Sequence, residues 1–239
     1  MKRIISSPFV IAFIAGACAV FGFAPFGIFP LPILALAVLF RLWSQAERPA
    51  QAAWIGFAFG MGLFCVGVSW IYVALHEYGY MHPILAAVTT ALFAAVNAAL
   101  PAFAGYVQAK LRPFALSVSK GRSWILLVLP AIWTLAEWLR GLLFTGFPWL
   151  SMGYSQVPGS PLAGYAPLLG VYGVSLMVAV SAGIVLVLWY ARWSRQGKIA
   201  LGVLIALWIC GALLRTIEWT HPQGDPLKVS LLQGNIAQD

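Results

Sequence analysis

In the middle of an apolar chain stands EWLRGLLFTGFPWLSMGYSQ, Glu137 to Gln156, opening on a carboxylate and a guanidinium. Glu137 is the only acidic residue within the apolar segments, and Arg140 follows one helical turn later. Spacing of i to i+3 puts both side chains on one helical face, within pairing reach. An ionisable group in an apolar span is costly, so it faces a partner or a wet cavity. Two roles fit this intramembrane polar pair. One is contact with a lipid headgroup or carbonyl near the outer interface. The other is a structural ion pair that locks its helix.

The segment after Arg140 carries five glycines and four prolines as far as Pro167, so an unbroken helix is not expected there. Its start, LLFTGFPWL, is too apolar to float in water. Non-helical backbone of this kind is tolerated where it lines a cavity or dips into the interface. The expectation is a lipid-contacting lid or re-entrant loop built on Gly146, Phe147, Pro148 and Trp149, anchored by Phe147, Trp149 and Leu150. A plain interfacial linker with Trp149 at headgroup level is the alternative.

Other residue types with chemical potential are sparse. His76, Glu77 and His82 share the stretch LHEYGYMHP, which lacks the helical HExxH spacing of a zinc site, so no metal is expected. Cys18, Cys65 and Cys210 all fall in apolar runs and read as small hydrophobes rather than disulfide partners or nucleophiles. Asn97 and Pro101 lie in one apolar run and suggest a helix–helix hydrogen bond and a kink.

The elements that must position these residues follow from composition. Of 239 residues, 62% are hydrophobic and 8% charged, and the mean hydropathy is +0.91. Soluble domains carry roughly 25% charge, so the chain belongs in lipid. A bilayer core needs about 20 apolar residues as helix, and seven candidates run over 4–23, 28–43, 52–75, 83–109, 123–144, 168–190 and 199–214. Placing the N-terminus inside puts Lys2, Arg3, Arg41, Arg48, Lys110, Arg112, Lys120, Arg122, Arg192, Arg195 and Lys198 on inner segments. Only Arg140, Arg215 and Lys228 then lie outside. This bias fixes a cytoplasmic N-terminus and, after seven spans, a C-terminus outside. It also explains the net charge of +8 without nucleic acid. The expected fold is therefore an all-α polytopic membrane protein. Gly56, Gly60, Gly62 and Gly67 suit close helix packing, and Trp43, Trp54, Trp124, Trp189 and Trp193 suit an aromatic belt.

The opening MKRIISSPFVIAFIAGACAV has the basic and apolar regions of a signal peptide, and AGAC loosely resembles a lipoprotein cleavage box. Ala15 stands where such a box favours a larger aliphatic residue, and a second span follows at once, so an uncleaved first helix is expected. KLRPFALSVSKGR reads as a basic cytoplasmic loop.

Beyond Arg215 the composition shifts. Residues 1–215 form the helical domain and 216–227 a linker with Pro222, Gly224 and Pro226. From 228 to 239 the next domain begins: LKVSLLQ, counted from Leu227, alternates like a strand, and GN follows as a turn. A lone strand is not stable, so the start of a further soluble domain is expected here.

Several stretches together resemble one family. EWLRGLLFTGFPWLSMGYSQ, FAPFGIFPLPILAL, GVYGVSLMVA and VSLLQGNIAQD, in that order, are similar to apolipoprotein N-acyltransferase. The resemblance implies a multi-pass enzyme of the bacterial inner membrane. It moves an acyl chain from a phospholipid to the amino group of the S-diacylglyceryl cysteine that begins a maturing apolipoprotein. It also implies an outward nitrilase-like α/β domain with a Glu-Lys-Cys triad, in which the thiolate forms a thioester acyl-enzyme. No triad residue can be assigned in this chain, whose end is reached at the apparent first strand of that domain, so inactivity alone is expected. What carries over is the loop, with Gly146, Pro148 and Trp149 matching the family's outer-loop motif, and the preceding helix with Glu137 and Arg140. Membrane lipids, a phospholipid acyl donor and a diacylglyceryl apolipoprotein are the implied partners, with no cofactor.

Two other classes compete. A transporter would need polar residues along a route, but the spans hold few, and no convincing inverted repeat is visible. It would also have no reason to carry the alternating tail; the other class is a non-catalytic membrane scaffold that binds lipid or presents another protein.

Overall fold

The computed structural model describes residues 7–118, 124–191, 194–225 and 227–234. Lys2, Arg3, Lys120, Arg122, Arg192, Trp193 and Pro226, named above, lie outside the described residues, as do positions 235–239 of the tail.

Among the described residues every regular element is helical. Helix α1 (Pro8–Ala19) runs on as a 3-10 turn to Gly22. It is followed by α2 (Pro30–Gln45), α3 (Pro49–Gly67) and α4 (Pro83–Val118). A π-turn, Trp124–Val128, leads into α5 (Leu129–Arg140), and α6 (Ala166–Ala191) and α7 (Arg195–Leu214) complete the order. Helices α1 to α4 each open on a proline, whose fixed φ suits a first turn and whose missing amide would find no partner there. Four helices are long and apolar enough to cross a membrane: α3, α4, α6 with the 3-10 turn leading into it, and α7. Helices α1 and α2 are apolar but shorter.

Two segments end earlier than their hydropathy suggests. Helix α3 stops at Gly67, and a one-turn helix (Trp70–Val73) and a π-turn (Ala74–Tyr78) replace a continuous run to Leu75. Helix α5 stops at Arg140 rather than Phe144, because the Arg140 carbonyl accepts the Phe147 amide at 2.9 Å and the chain folds back.

The packing divides into two groups. Helix α3 lies between α1 and α4, while α6 gathers α2, α5 and α7, and α5 also touches α4. The α3 contacts depend on glycine. A Cβ on Gly62 would collide with the Phe13 carbonyl of α1, and one on Gly56 with the Pro101 carbonyl of α4. With little hydrophobic drive between helices in lipid, such close approach supplies the association.

Several expectations are corrected. Trp43 is not in an interfacial belt; it is fully buried, and its indole donates to the Ala52 carbonyl at 3.0 Å. Trp124 is buried as well, whereas Trp54 and Trp189 are exposed. Cys18, Cys65 and Cys210 are free thiols, Cys18 and Cys210 exposed on the bundle's flank and Cys65 half-buried, which leaves their reading as small hydrophobes unchanged. Among the described residues Asn97 donates to the Phe93 carbonyl of its own helix at 3.0 Å rather than to another helix. The described tail residues 227–234 carry no regular element, in keeping with the instability of a lone strand without a partner. Leu227, Val229, Leu231 and Leu232 are exposed with no neighbouring edge, and a strand exists only by pairing its backbone.

Candidate functional site

One end of the bundle collects the long connection 141–165, the one-turn helix after α3 and the C-terminus of α7. The connection is held by side chains from three directions. On α5, Arg140 donates through Nη1 to the Phe147 carbonyl at 2.8 Å and to the Trp149 carbonyl, and through Nη2 to Ser151 Oγ at 3.3 Å. One turn back, Glu137 Oε1 accepts the Trp133 indole and the Met152 amide, each at 3.0 Å. From α6, Ser175 Oγ accepts the Gly153 amide at 2.8 Å. Gln156 then donates to the Phe29 carbonyl before α2 at 3.2 Å and to Ser155 Oγ at 2.8 Å.

Glu137 and Arg140 are both buried, as their spacing suggests, but they are not in direct ionic contact. Among the described residues the ion pairs within 4.0 Å are His76–Glu77 and His221–Glu218. The two charges act in parallel instead, each binding loop backbone that a helix cannot satisfy. A planar guanidinium suits this task because its donors form a rigid fork that reaches several acceptors at once. Arg140 also lies over the Phe64 ring, 5.1 Å from its centroid.

The loop's backbone is bent to meet these bonds. Gly146 has φ 85°, a conformation open to glycine at no steric cost, and Thr145 and Leu150 also take positive φ. The turn at Leu150 separates its side chain from that of Trp149. Leu150 faces inward, 7% exposed, and lies over Gly67 where a Cβ would collide with it. Leu150 is therefore a core contact rather than the lipid anchor expected. Trp149 is 53% exposed and joins an aromatic row. Phe93 meets Phe147 edge-on at 4.9 Å, Phe147 stacks with Trp149 at 6.3 Å, and Trp149 meets Trp70 at 5.9 Å.

Two apolar recesses flank this row against α4. One, of about 470 Å³, is lined by Phe93, Val96, Asn97, Phe103, Arg140 and Phe147. The other, of about 540 Å³, lies among Cys65, Ser69, Trp70, Tyr72 and Thr90. Both have the size and apolar character of a small-molecule site. Gly146, Phe147, Pro148, Trp149, Glu137 and Arg140 are thus brought together in one place. His76 lies apart, with Nδ1 3.0 Å from the Met81 carbonyl. No group of three metal-ligating side chains occurs among the described residues.

Ser151, Ser155, Gln156 and Ser175 are buried and do much of the holding, yet they were not singled out from the sequence. Their signal was present: polar residues at the edge of apolar spans need a partner. Only the fold names that partner. A further tie comes from Arg215 at the end of α7, whose Nη1 donates to the carbonyls of Gly159 and Ser160 at 3.3 Å each. The segment after α7 therefore leaves the bundle beside the loop.

Comparison with known proteins gives this arrangement a context. The family model described as the apolipoprotein N-acyltransferase N-terminal domain matches residues 15–184. A protein of Nitrosomonas europaea named apolipoprotein N-acyltransferase is 49% identical over 96% of this chain, which covers 44% of that protein. Proteins of the same name from Methylococcus capsulatus and Coxiella burnetii are 44% and 41% identical, again over 96% of the chain and over 44% and 46% of their own lengths. The chain thus spans less than half the length of these relatives. Its four apolar spans mark a membrane protein, and over nearly its whole length it belongs to the apolipoprotein N-acyltransferase family.

Proposed function

We propose that this chain is the membrane part of an N-acyltransferase of the bacterial inner membrane. The enzyme takes an acyl chain from a phospholipid and passes it to the amino group of an S-diacylglyceryl cysteine at the start of a lipoprotein. Seven crossings with a cytoplasmic N-terminus place the loop 141–165 and the segment after α7 on the outer side. There, the chain continues into a nitrilase-like domain that brings the thiol, carboxylate and lysine. The thiolate attacks the phospholipid ester and releases a lysophospholipid, leaving a thioester. The lipoprotein amine then attacks the thioester, forming an amide and restoring the thiol. Cys18, Cys65 and Cys210 take no part, and the chain alone is inactive.

The observation that carries this reading is the fixed loop. Arg140 holds the carbonyls of Phe147 and Trp149 and Glu137 the amide of Met152, and Phe147 lines a recess of about 470 Å³. A rigid aromatic shelf beside an apolar groove suits a lipid tail, and fixed placement of a substrate is a main source of rate. In this role the shelf orients the acyl donor and the groove receives one of its chains.

The test is reconstitution in vesicles containing phosphatidylethanolamine with a diacylglyceryl lipopeptide as acceptor. The chain alone should give no N-acylated peptide. Fusing the portion of the Nitrosomonas europaea relative that follows the matched region after Asp239 should give product. A folded, membrane-inserted fusion that forms none would refute the assignment.

A further inference from the structure

The connection 141–165 is held by a guanidinium near each end. Arg140, Arg215 and Lys228 are the basic residues that the charge bias assigns to this end of the bundle, and both arginines donate to carbonyls of the connection. Arg140 on α5 binds those of Phe147 and Trp149, and Arg215, just past α7, binds those of Gly159 and Ser160. Helix α7 has little burial to fix its last turns. Ile205, Ile209 and Leu213 are exposed, and beyond Ala200 the buried residue of α7 is Gly211.

Gly211 lies against the 3-10 turn Pro161–Tyr165. A Cβ on Gly211 would collide with the Pro161 carbonyl, and one on Gly164 with the Gly211 carbonyl. Backbone meets backbone here, an approach that small residues allow. The Tyr165 hydroxyl adds a hydrogen bond to the Leu207 carbonyl at 2.8 Å. The turn is itself tied to the rest of the connection. Ser160 and Leu162 are buried, Ser160 Oγ accepts the Leu162 amide at 3.2 Å, and the Ser160 amide donates to the Gln156 carbonyl at 2.9 Å. Past Leu214 the chain stays on the helix end, where open carbonyls need donors. The Thr216 hydroxyl donates to the Leu213 carbonyl at 2.8 Å and the Trp219 indole to the Leu214 carbonyl at 3.3 Å.

We infer that the turn 159–165 and the end of α7 form one rigid joint, latched by Arg215. This joint sets where the segment after α7 stands relative to the shelf of Phe147 and Trp149. Its purpose rests on the acyl-transfer reading, in which the portion following α7 brings the thiol and the shelf orients the acyl donor. In that role Arg215 is a positioning residue, acting through the turn and the helix end rather than on substrate.

Distances between spin labels test the joint in the full chain. Cys18, Cys65 and Cys210 are replaced by alanine, and labels are attached at Tyr154→Cys on the connection and Thr220→Cys after α7, both exposed positions. The parent should give one narrow distribution. Gly164→Ala presses a methyl group against the Gly211 carbonyl and should shift its mean. Arg215→Met removes the donors and should broaden it. Arg215 is exposed, so the unfolding midpoint of Arg215→Met should stay near that of the parent, as for most surface substitutions. A distribution that is already broad in the parent, or that neither variant alters, overturns the proposal.

Turnover is read in the fusion that carries the relative's catalytic portion. A variant whose distribution changes should lose roughly tenfold in kcat, with KM for phospholipid near the parent value, as misplaced reacting groups do. A parent-like kcat in that variant overturns the positioning role. A parent fusion without activity refutes the acyl-transfer reading instead, and the label distances still decide whether the joint exists.

Discussion

Glu137 Oε1 accepts the backbone amide of Met152 at 3.0 Å, across fifteen positions of sequence. This bond turns a helix-borne charge into a loop support, and it separates the effects of two substitutions. Glu137→Ala leaves the Met152 amide and the Trp133 indole buried without an acceptor, at about 1–3 kcal/mol for each. Glu137→Gln keeps an acceptor oxygen in place and should recover much of that loss. Thermal unfolding of the purified variants in one detergent measures both. Equal midpoints for Ala and Gln would mean that the Met152 bond contributes nothing.

Arg140→Lys keeps the charge but loses the fork. A single ammonium cannot serve Phe147, Trp149 and Ser151 together, so the variant should lose about 1–3 kcal/mol through at least one stranded carbonyl. Hydrogen exchange at residues 147–152 should rise while exchange in α3 stays unchanged. Uniform loosening of the whole bundle would instead mark Arg140 as a general core contact.

Adjacent residues in the loop should behave in opposite ways. Leu150→Ala empties the space over Gly67 and should cost about 2–5 kcal/mol, as buried leucine truncations do. Trp149→Ala removes an exposed ring and should cost no more than about 0.5–1.5 kcal/mol from its aromatic contacts. In a fusion that carries the catalytic portion, Trp149→Ala should lower acyl transfer roughly tenfold or more, about 1.4 kcal/mol of transition-state stabilisation. Transfer unchanged by Trp149→Ala would leave the aromatic row a scaffold feature.

Gly62→Leu places a side chain into the Phe13 carbonyl of α1. Overpacking of this kind costs about 1–3 kcal/mol, and here backbone rather than a flexible side chain must yield. A lower yield of monodisperse protein and a reduced midpoint are expected. The same change at Gly202, which has open space around it, should be neutral.

The seven-crossing topology is checked by labelling. Trp219 and Ser44 are at opposite ends of the bundle, beyond α7 and near the end of α2. In an otherwise cysteine-free chain, Trp219→Cys should react with an impermeant maleimide from outside intact cells, and Ser44→Cys only after lysis. The reverse pattern would invert the topology and remove the outer shelf.

Much of this protein was readable before any fold was known. Hydropathy alone marks the apolar segments, because each must satisfy its backbone internally in lipid, but of the helix starts at Pro8, Pro30, Pro49 and Pro83 only the last coincides with the start of a span read from hydropathy. Glu137, Arg140 and the loop around Trp149 stood out for the same reason: charge, glycine and proline are expensive in an apolar chain. Tertiary structure alone decided how they are used. An i to i+3 carboxylate and guanidinium could equally have bonded to each other, and sequence carries no distance between α5 and a loop that turns back on it. Likewise Leu150 and Trp149 are neighbours of similar hydrophobicity, and only the positive φ at 150 and the bare backbone of Gly67 send one into the core and leave the other at the surface. Local composition fixes what a residue must avoid; the partner it finds depends on residues far away in the chain.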